Sequence, residues 1–257
     1  MGVDSLRRRL LSMRRQTNAL LDSRLIQRVE DRILRLAASV PGFGERAKSA
    51  AEISYWKRVW RHEGGSLSNS HYEKAFTTSF GLPRSYFDGK RMLDIGCGPR
   101  GSLEWADNAA ERVGLDPLVS AYGRLGIGTH AMAYADAPSE EIPFPPGHFD
   151  IVSSFNSLDH VANLQETVAE LTRVTKEGGD LLLITDVNHE PTPAEPISFS
   201  WDVLDEFTSR GWSVATEKHY EKSVANIYAA VSAAVPYDEA NATDRYGVLL
   251  AQLTRTG

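Results

Sequence analysis

The residues with the clearest chemical role lie in a glycine-rich turn after a short apolar run, within Met92–Gly101. Gly96, Gly98 and Gly101 match the G-x-G-x-x-G pattern that brings backbone close to a dinucleotide's pyrophosphate. Asp94 stands two residues before the first glycine, where its carboxylate would repel a pyrophosphate. It would attract a cation instead. S-adenosylmethionine carries a sulfonium and an ammonium but no phosphate, so Asp94 favours it over a dinucleotide.

Two more acids close the next two predicted strands. Asp116 lies 18 residues after Gly98, the spacing at which a carboxylate can accept hydrogen bonds from both ribose hydroxyls. Asp136 follows the third predicted strand, where it could accept a hydrogen bond from the adenine amino group. Any one of these acids could simply cap a helix. Three acids at three successive strand ends indicate a nucleoside site.

The candidate bases for deprotonating an acceptor follow the fourth and fifth predicted strands. His160 and His189 have the side chain suited to proton transfer near neutral pH, and we predict them as catalytic residues. Either could instead be a hydrogen-bonding support. No metal ligand is assigned, although an oxygen-rich magnesium site stays an alternative. It would use Asp159, His160, Asp186, His189 and Glu190.

From residue 86 onward, apolar strand-like runs alternate with helical segments, which is typical of a parallel sheet covered on both faces. In such a sheet the ligand binds at the carboxyl ends of the strands. The predicted strands are Arg91–Ile95, Arg112–Leu115, Ala131–Ala135, Asp150–Phe155, Asp180–Thr185, Trp212–Tyr220 and Tyr246–Thr254. The predicted helices are Ser102–Ala110, Leu118–Leu125, Leu164–Thr175 and Trp201–Ser209.

This order of motifs resembles the class I S-adenosylmethionine-dependent methyltransferases, particularly the small-molecule, ubiquinone-biosynthesis-like type 11 group. The resemblance covers roughly residues 86–257. It rests on Leu93–Gly98, Ala135–Ala137, Ile142–Pro145, Gly147, Phe149–Val152, Asn156–Val161 and Leu171–Gly179.

The resemblance implies an α/β fold, a Rossmann-like three-layer sandwich with a seven-stranded, mostly parallel sheet whose last strand is antiparallel. It also implies S-adenosylmethionine as cofactor, with S-adenosylhomocysteine as product. Arg100 departs from the pattern, and we expect it to pair with an acid such as Glu104. The expected cofactor-binding residues are Asp94, Gly96, Cys97, Gly98, Asp116, Pro117, Asp136, Ala137 and Asn156.

The part before residue 86 divides into two segments. Residues 1–48 carry 11 basic and 5 acidic residues with apolar positions at helical spacing, which predicts a basic amphipathic helical arm. We expect this N-terminal extension to mediate homo-oligomerisation. Residues 49–85 are predicted to be a helical segment that covers the active site, with helices at Ala50–Arg61 and His71–Phe80.

Composition narrows the partners. The net charge of −6 comes from an acidic body, which makes nucleic acid a poor partner. No apolar run approaches the length of a membrane span, and the single cysteine, Cys97, excludes an internal disulfide. We expect a cytoplasmic enzyme that acts on a small-molecule or glycan acceptor, with a hydroxyl oxygen favoured over nitrogen or carbon as the methylated atom. The alternatives are an NAD- or nucleotide-sugar-dependent oxidoreductase and a non-catalytic, methyltransferase-like binding subunit.

Overall fold

A computed structural model describes residues 44–192, 195–222, 226–241, 243 and 245–257. Most of the predicted basic arm lies outside these residues. The chain divides into two units, and residues 53–191 and 195–257 form the larger one. The smaller unit is described only at residues 44–52, the first half of a helix, and at residue 192. No helix in the described ranges is long and apolar enough to cross a membrane.

The larger unit is built on one seven-stranded sheet in the order β3-β2-β1-β4-β5-β7-β6. The first five strands pair in parallel, and β7 lies antiparallel between β5 and β6. This confirms the predicted mostly parallel sheet with an antiparallel last strand. The strands are β1 (Arg91–Ile95), β2 (Glu111–Leu115), β3 (Ala133–Ala135), β4 (Phe149–Phe155), β5 (Thr175–Val187), β6 (Trp212–Glu221) and β7 (Gly247–Arg255).

Six α-helices are described. They are α1 (Gly44–His62), α2 (Tyr72–Phe76), α3 (Val119–Tyr122), α4 (Leu164–Val174), α5 (Asp205–Thr208) and α6 (Ile227–Ala233). Short 3-10 turns occur at Arg84–Phe87, Gly123–Leu125, Ile127–Thr129, Leu158–His160 and Trp201–Leu204.

Successive side chains of the buried strands point to opposite faces of the sheet, so they pack into two hydrophobic cores, one on each face. Leu93 and Ile95 of β1 point into the core that α4 and α5 cover, whereas Met92 points into the other core. That second core is closed by α2 and α6. The result is the predicted three-layer sandwich.

The predicted helix over Ser102–Ala110 is wrong. This stretch is a series of turns in which the amides of Glu104, Ala106 and Ala109 each bond the carbonyl three residues earlier. Two non-local contacts account for the change. The Ser102 hydroxyl donates to the Asp94 carboxylate, and the Asn108 carbonyl accepts from the amide of Gly89. The predicted helix over His71–Phe80 likewise shortens to α2.

The carboxyl ends of β1, β2, β4 and β5 meet at one edge of the sheet. Asn156 and Asn188 stand just after β4 and β5, and both have the left-handed backbone conformation, with φ of 56° and 58°. Asparagine tolerates this conformation better than most residues. These sharp turns direct the loops after β4 and β5 across the same edge, where the predicted functional residues lie.

Candidate active site

The glycine turn after β1 fits tightly against the loop after β4. Gly96 has φ of 64°, and a Cβ at this position would lie 2.3 Å from the Cβ of Ser157. The Ser157 hydroxyl donates to the carbonyl of Ile95 at 2.8 Å. The Gly96 amide donates to the carbonyl of Leu115 at 2.8 Å, which joins the turn to the end of β2. Gly96 is therefore required by both its conformation and the close approach of Ser157.

Asp94 is a buried carboxylate inside the turn, with 3% of its surface exposed. It accepts hydrogen bonds from the hydroxyls of Ser102 and Ser153, the latter at 2.6 Å. Burial raises the pKa of Asp94 to about 6, although both hydroxyls act to lower it. Asp94 thus ties β1 to β4 and to the chain after the glycine turn, in addition to carrying negative charge at this edge.

Asp116 connects the ends of β2 and β1. Its Oδ2 accepts from the amide of Gly98 at 3.1 Å, and its Oδ1 accepts from the amide of Leu118 at 2.8 Å. The side chain is buried, with 4% exposure. A carboxylate has about four acceptor sites and can accept from several donors at once. The predicted ribose acid therefore lies directly beside the glycine turn.

The other predicted cofactor residues lie around the same edge. Asp136 is exposed and accepts from the amide of Ser120 at 3.1 Å and from the Ser120 hydroxyl, which fixes the first turn of α3. Cys97 is buried against Gly114, and burial raises the pKa of its thiol well above the ordinary value. The remaining positions are Pro117, which is exposed, and Ala137 and Asn156, which are half-buried.

The second half of α1 lies over the glycine turn. A Cβ on Gly98 would be 3.2 Å from the indole of Trp56, and the Arg100 guanidinium lies 5.4 Å from the centre of that ring. Arg100 forms a 2.6 Å ion pair with Glu63, one residue beyond α1. Arg100 therefore pairs with an acid, as expected, but the acid is not Glu104, whose carboxylate accepts from the side-chain amide of Asn69.

A second buried group follows β4 and β5. Asp159 is 1% exposed, and its two carboxylate oxygens lie 3.8 Å from the Nε2 atoms of His160 and His189, one each. Glu195 Oε1 lies 3.9 Å from the same nitrogen of His160. The structure thus brings together both predicted bases, on either side of one carboxylate. We call Asp159, His160, His189 and Glu195 the Asp159 cluster.

Asp186, at the end of β5, belongs to the same neighbourhood. It pairs with the ammonium of Lys222. Burial raises the pKa of Asp186, with a smaller contribution from the charge of Asp159; Lys222 opposes both effects. Of the five residues named for a magnesium site, Glu190 is exposed at the surface.

Sequence reasoning missed several residues that the structure brings to the site. Glu195 stands in a proline-rich stretch that has no local pattern suggesting a ligand or a base. Ser102, Ser153 and Ser157 are small polar residues whose roles depend on packing against β1. The hydrophobic run of β4 interrupted by Ser153 and Ser154 was the one available signal, because buried hydroxyls need partners.

Comparison with known proteins agrees with this geometry. Residues 93–183 match a family model described as a methyltransferase domain. The malonyl-[acyl-carrier protein] O-methyltransferase of Enterobacter lignolyticus is 33% identical over 117 residues, which are 45% of each chain. The ubiquinone/menaquinone biosynthesis C-methyltransferase of Pseudomonas aeruginosa is 32% identical over 126 residues, 43% of this chain and 46% of the relative. The chain spans about half the length of the curated relatives it matches.

Solved structures agree on the fold. An S-adenosylmethionine-dependent methyltransferase from Mesorhizobium loti has a TM-score of 0.52 at 18% identity, covering 69% of this chain and 96% of that one. The YcgJ protein of Bacillus subtilis has a TM-score of 0.50 at 18% identity, covering 70% and 99%.

Residues 93–183 are therefore similar to a methyltransferase domain, and the larger unit has the fold of a solved S-adenosylmethionine-dependent methyltransferase. Within that class, the predicted resemblance to ubiquinone-biosynthesis-like enzymes is confirmed by the C-methyltransferase relative. The predictions of methyltransferase type and of S-adenosylmethionine as methyl donor are confirmed at the level of this domain.

Proposed function

We propose that this protein transfers a methyl group from S-adenosylmethionine to a hydroxyl oxygen of a small-molecule or glycan acceptor. The relatives include both an O- and a C-methyltransferase, so the domain alone leaves the acceptor atom open. The observation that carries the choice of oxygen is the Asp159 cluster. A hydroxyl must lose its proton when it is methylated, and two imidazoles beside a buried carboxylate are suited to receive it.

For the cofactor, we propose contacts that follow the carboxyl edge of the sheet. The backbone of Gly96, Cys97 and Gly98 would face the amino-acid part of S-adenosylmethionine, and Asp116 would accept both ribose hydroxyls. The support for Asp116 is its position, since its Oδ2 already bonds the Gly98 amide at 3.1 Å.

The adenine end would lie beyond β3, with Asp136 accepting from the amino group. Pro117 and Ala137 would contact the adenine ring. Asn156, just after β4, would lie near the methyl group of the cofactor. Asp94 would supply long-range attraction to the cationic cofactor rather than a direct contact, because both of its oxygens accept from serine hydroxyls.

Of the two histidines, we propose that His189 is the general base that takes the proton of the acceptor hydroxyl. Its Nδ1 lies 3.1 Å from the carbonyl of Glu190 and can bond it only as a donor, which leaves the Nε2 lone pair as the basic site. Asp159 Oδ2, at 3.8 Å from that Nε2, would stabilise the imidazolium that forms. His160 is more exposed, at 31% of its side chain, and lies between two carboxylates.

We further propose that residues 49–85 cover the cofactor, as the packing of Trp56 on Gly98 suggests. The basic arm, residues 1–48, would then be free to mediate homo-oligomerisation through its apolar stripe. Enclosing the site would exclude water from the reaction, which strengthens every electrostatic interaction inside it.

The test is formation of S-adenosylhomocysteine in the presence of a panel of hydroxylated acceptors, beside calorimetric titration with S-adenosylmethionine and with NADH. We expect binding of the former alone. His189→Gln should lower single-turnover methyl transfer by about 10² to 10⁴ and leave cofactor affinity unchanged. His148→Gln is the matched control, because His148 pairs with Glu111 at the opposite edge of the sheet. Equal rates for both variants would contradict the assignment of the base.

A further inference from the structure

The Asp159 carboxylate lacks the hydrogen bonds that a buried charge requires. Among the described residues, neither of its oxygens has a hydrogen-bond partner, although the side chain is 1% exposed. The nearest imidazole nitrogens, at 3.8 Å, are within ion-pair range but too far for hydrogen bonds. Burying an ionised carboxylate without compensation is very costly, so a positive charge beside Asp159 would stabilise this arrangement.

The atoms around Asp159 are mostly donors of electron pairs. Asp159, His160 and Glu195 each present one ligand atom, and these three atoms all lie within 4.8 Å of one another. His189 Nε2 is also buried without a hydrogen-bond partner among the described residues, and the Nδ1 contact to Glu190 makes that Nε2 the lone-pair end of the ring.

The charged side chains around Asp159 also favour the binding of a cation. Asp159, Asp186 and Glu195 supply three negative charges, and Lys222, paired with Asp186, supplies one positive charge. A divalent cation beside Asp159 would be attracted by these carboxylates. Lys222 cannot serve Asp159 in this way while its ammonium bonds Asp186.

We propose that Asp159, His160 and Glu195 bind one divalent first-row transition metal ion, of the Zn²⁺ or Mn²⁺ type. An imidazole nitrogen with two carboxylates suits such ions better than Mg²⁺ or Ca²⁺, which prefer all-oxygen sites. His189 is a positioning residue for the site, since it faces the second oxygen of Asp159. Its Nε2 lies 3.8 Å from that oxygen, and groups that face a ligand in this way orient it.

The proposed ion could reach its site from solvent and could act in methyl transfer. His160 is 31% exposed and Glu195 37%, so the ion reaches the site from solvent. Three protein ligands leave a coordination position for an acceptor oxygen, whose pKa the ion would lower before His189 takes the proton. This use rests on the proposed function; binding of the ion does not.

The experiment is calorimetric titration of the full chain, first stripped with a chelator, with Zn²⁺, Mn²⁺ and Mg²⁺ in the absence of cofactor and acceptor. We expect one Zn²⁺ per chain, bound more tightly than Mg²⁺. Asp159→Asn and Glu195→Gln should each weaken Zn²⁺ binding by about 10- to 100-fold or more, in the range seen when ligating groups lose support. Glu190→Gln, an exposed carboxylate on the same loop, should leave it unchanged.

A second measurement keeps the proposal testable if a variant unfolds. Co²⁺ added to the wild-type chain should give visible d–d absorption that one equivalent of Zn²⁺ abolishes, and His160→Gln should change that spectrum. Absence of saturable one-to-one binding, or equal affinity for Zn²⁺ in Asp159→Asn and Glu190→Gln, would overturn the site. Because neither measurement uses cofactor or acceptor, their failure is distinct from failure of methyl transfer.

Discussion

Replacing the buried carboxylate Asp94 with asparagine is expected to stabilise the fold at neutral pH. Burial raises the pKa of Asp94 from 3.8 to about 6. At 1.36 kcal/mol per unit, this rise corresponds to about 3 kcal/mol against the ionised form. Asparagine has the same shape, and its amide can bond Ser102 and Ser153 with one donated and one accepted hydrogen bond. We expect a gain of about 1 to 3 kcal/mol in the free energy of unfolding at pH 7.

The pH dependence gives the prediction its sign. Because the pKa of Asp94 is higher in the folded state, the folded protein binds this proton more tightly, and the contribution of Asp94 to stability is greatest below pH 3.8. It is lost as the pH rises towards 6, and the loss is complete above that pH. The difference between Asp94→Asn and wild type should therefore be close to zero near pH 3.5 and reach its full value by about pH 7.

Urea unfolding followed by tryptophan fluorescence between pH 3.5 and 7.5 measures this difference. Asp150→Asn is a control of opposite sign. Burial acts to raise the pKa of Asp150, but bonds from the Arg91 amide and Lys176 outweigh it, so the pKa is lowered. That variant should lose stability at pH 7. A gain from Asp94→Asn that stays constant across the pH range would refute the reasoning, because the charge would then not be its source.

Three other changes test the cofactor side. Gly96→Ala should cost more than about 2 kcal/mol, because φ is 64° and the new Cβ would lie 2.3 Å from Ser157; adding Ser157→Gly should recover part of that loss in urea unfolding. Asp116→Ala should weaken S-adenosylmethionine binding by about 1.5 to 3 kcal/mol in calorimetry, and wild-type affinity would remove the ribose assignment. A chain starting at Pro41 should keep its affinity for the cofactor but form a smaller oligomer, as measured by light scattering. Lost cofactor affinity with an unchanged number of chains per oligomer would place the arm in the pocket.

Local patterns in the sequence determined the strands and the cofactor side of the site. The alternation of buried strands with helices predicted a parallel sheet, and each of the seven predicted strands overlaps a strand of the structure. The glycine turn and Asp116 were also readable, because the turn and the strand end each depend on a short stretch of chain. Their proximity follows from the topology, since β1 and β2 pair in parallel register. Such a pairing brings the two carboxyl ends together.

Only the tertiary structure decided the features that depend on contacts between distant residues. Helical propensity over Ser102–Ala110 gave way to turns once Ser102 bonded Asp94 and Asn108 bonded Gly89. Arg100 found Glu63, which lies 37 residues earlier, rather than Glu104, which is four residues away.

The Asp159 cluster is the clearest example of what the sequence could not specify. Its members come from the loops after β4 and β5, and Glu195 lies in a stretch whose sequence gives no sign of a role. The sequence identified His160 and His189 as chemically useful side chains, because imidazole is suited to proton transfer near neutral pH. It could not show that one buried carboxylate lies between them, since that arrangement depends on how two loops pack together at the edge of the sheet.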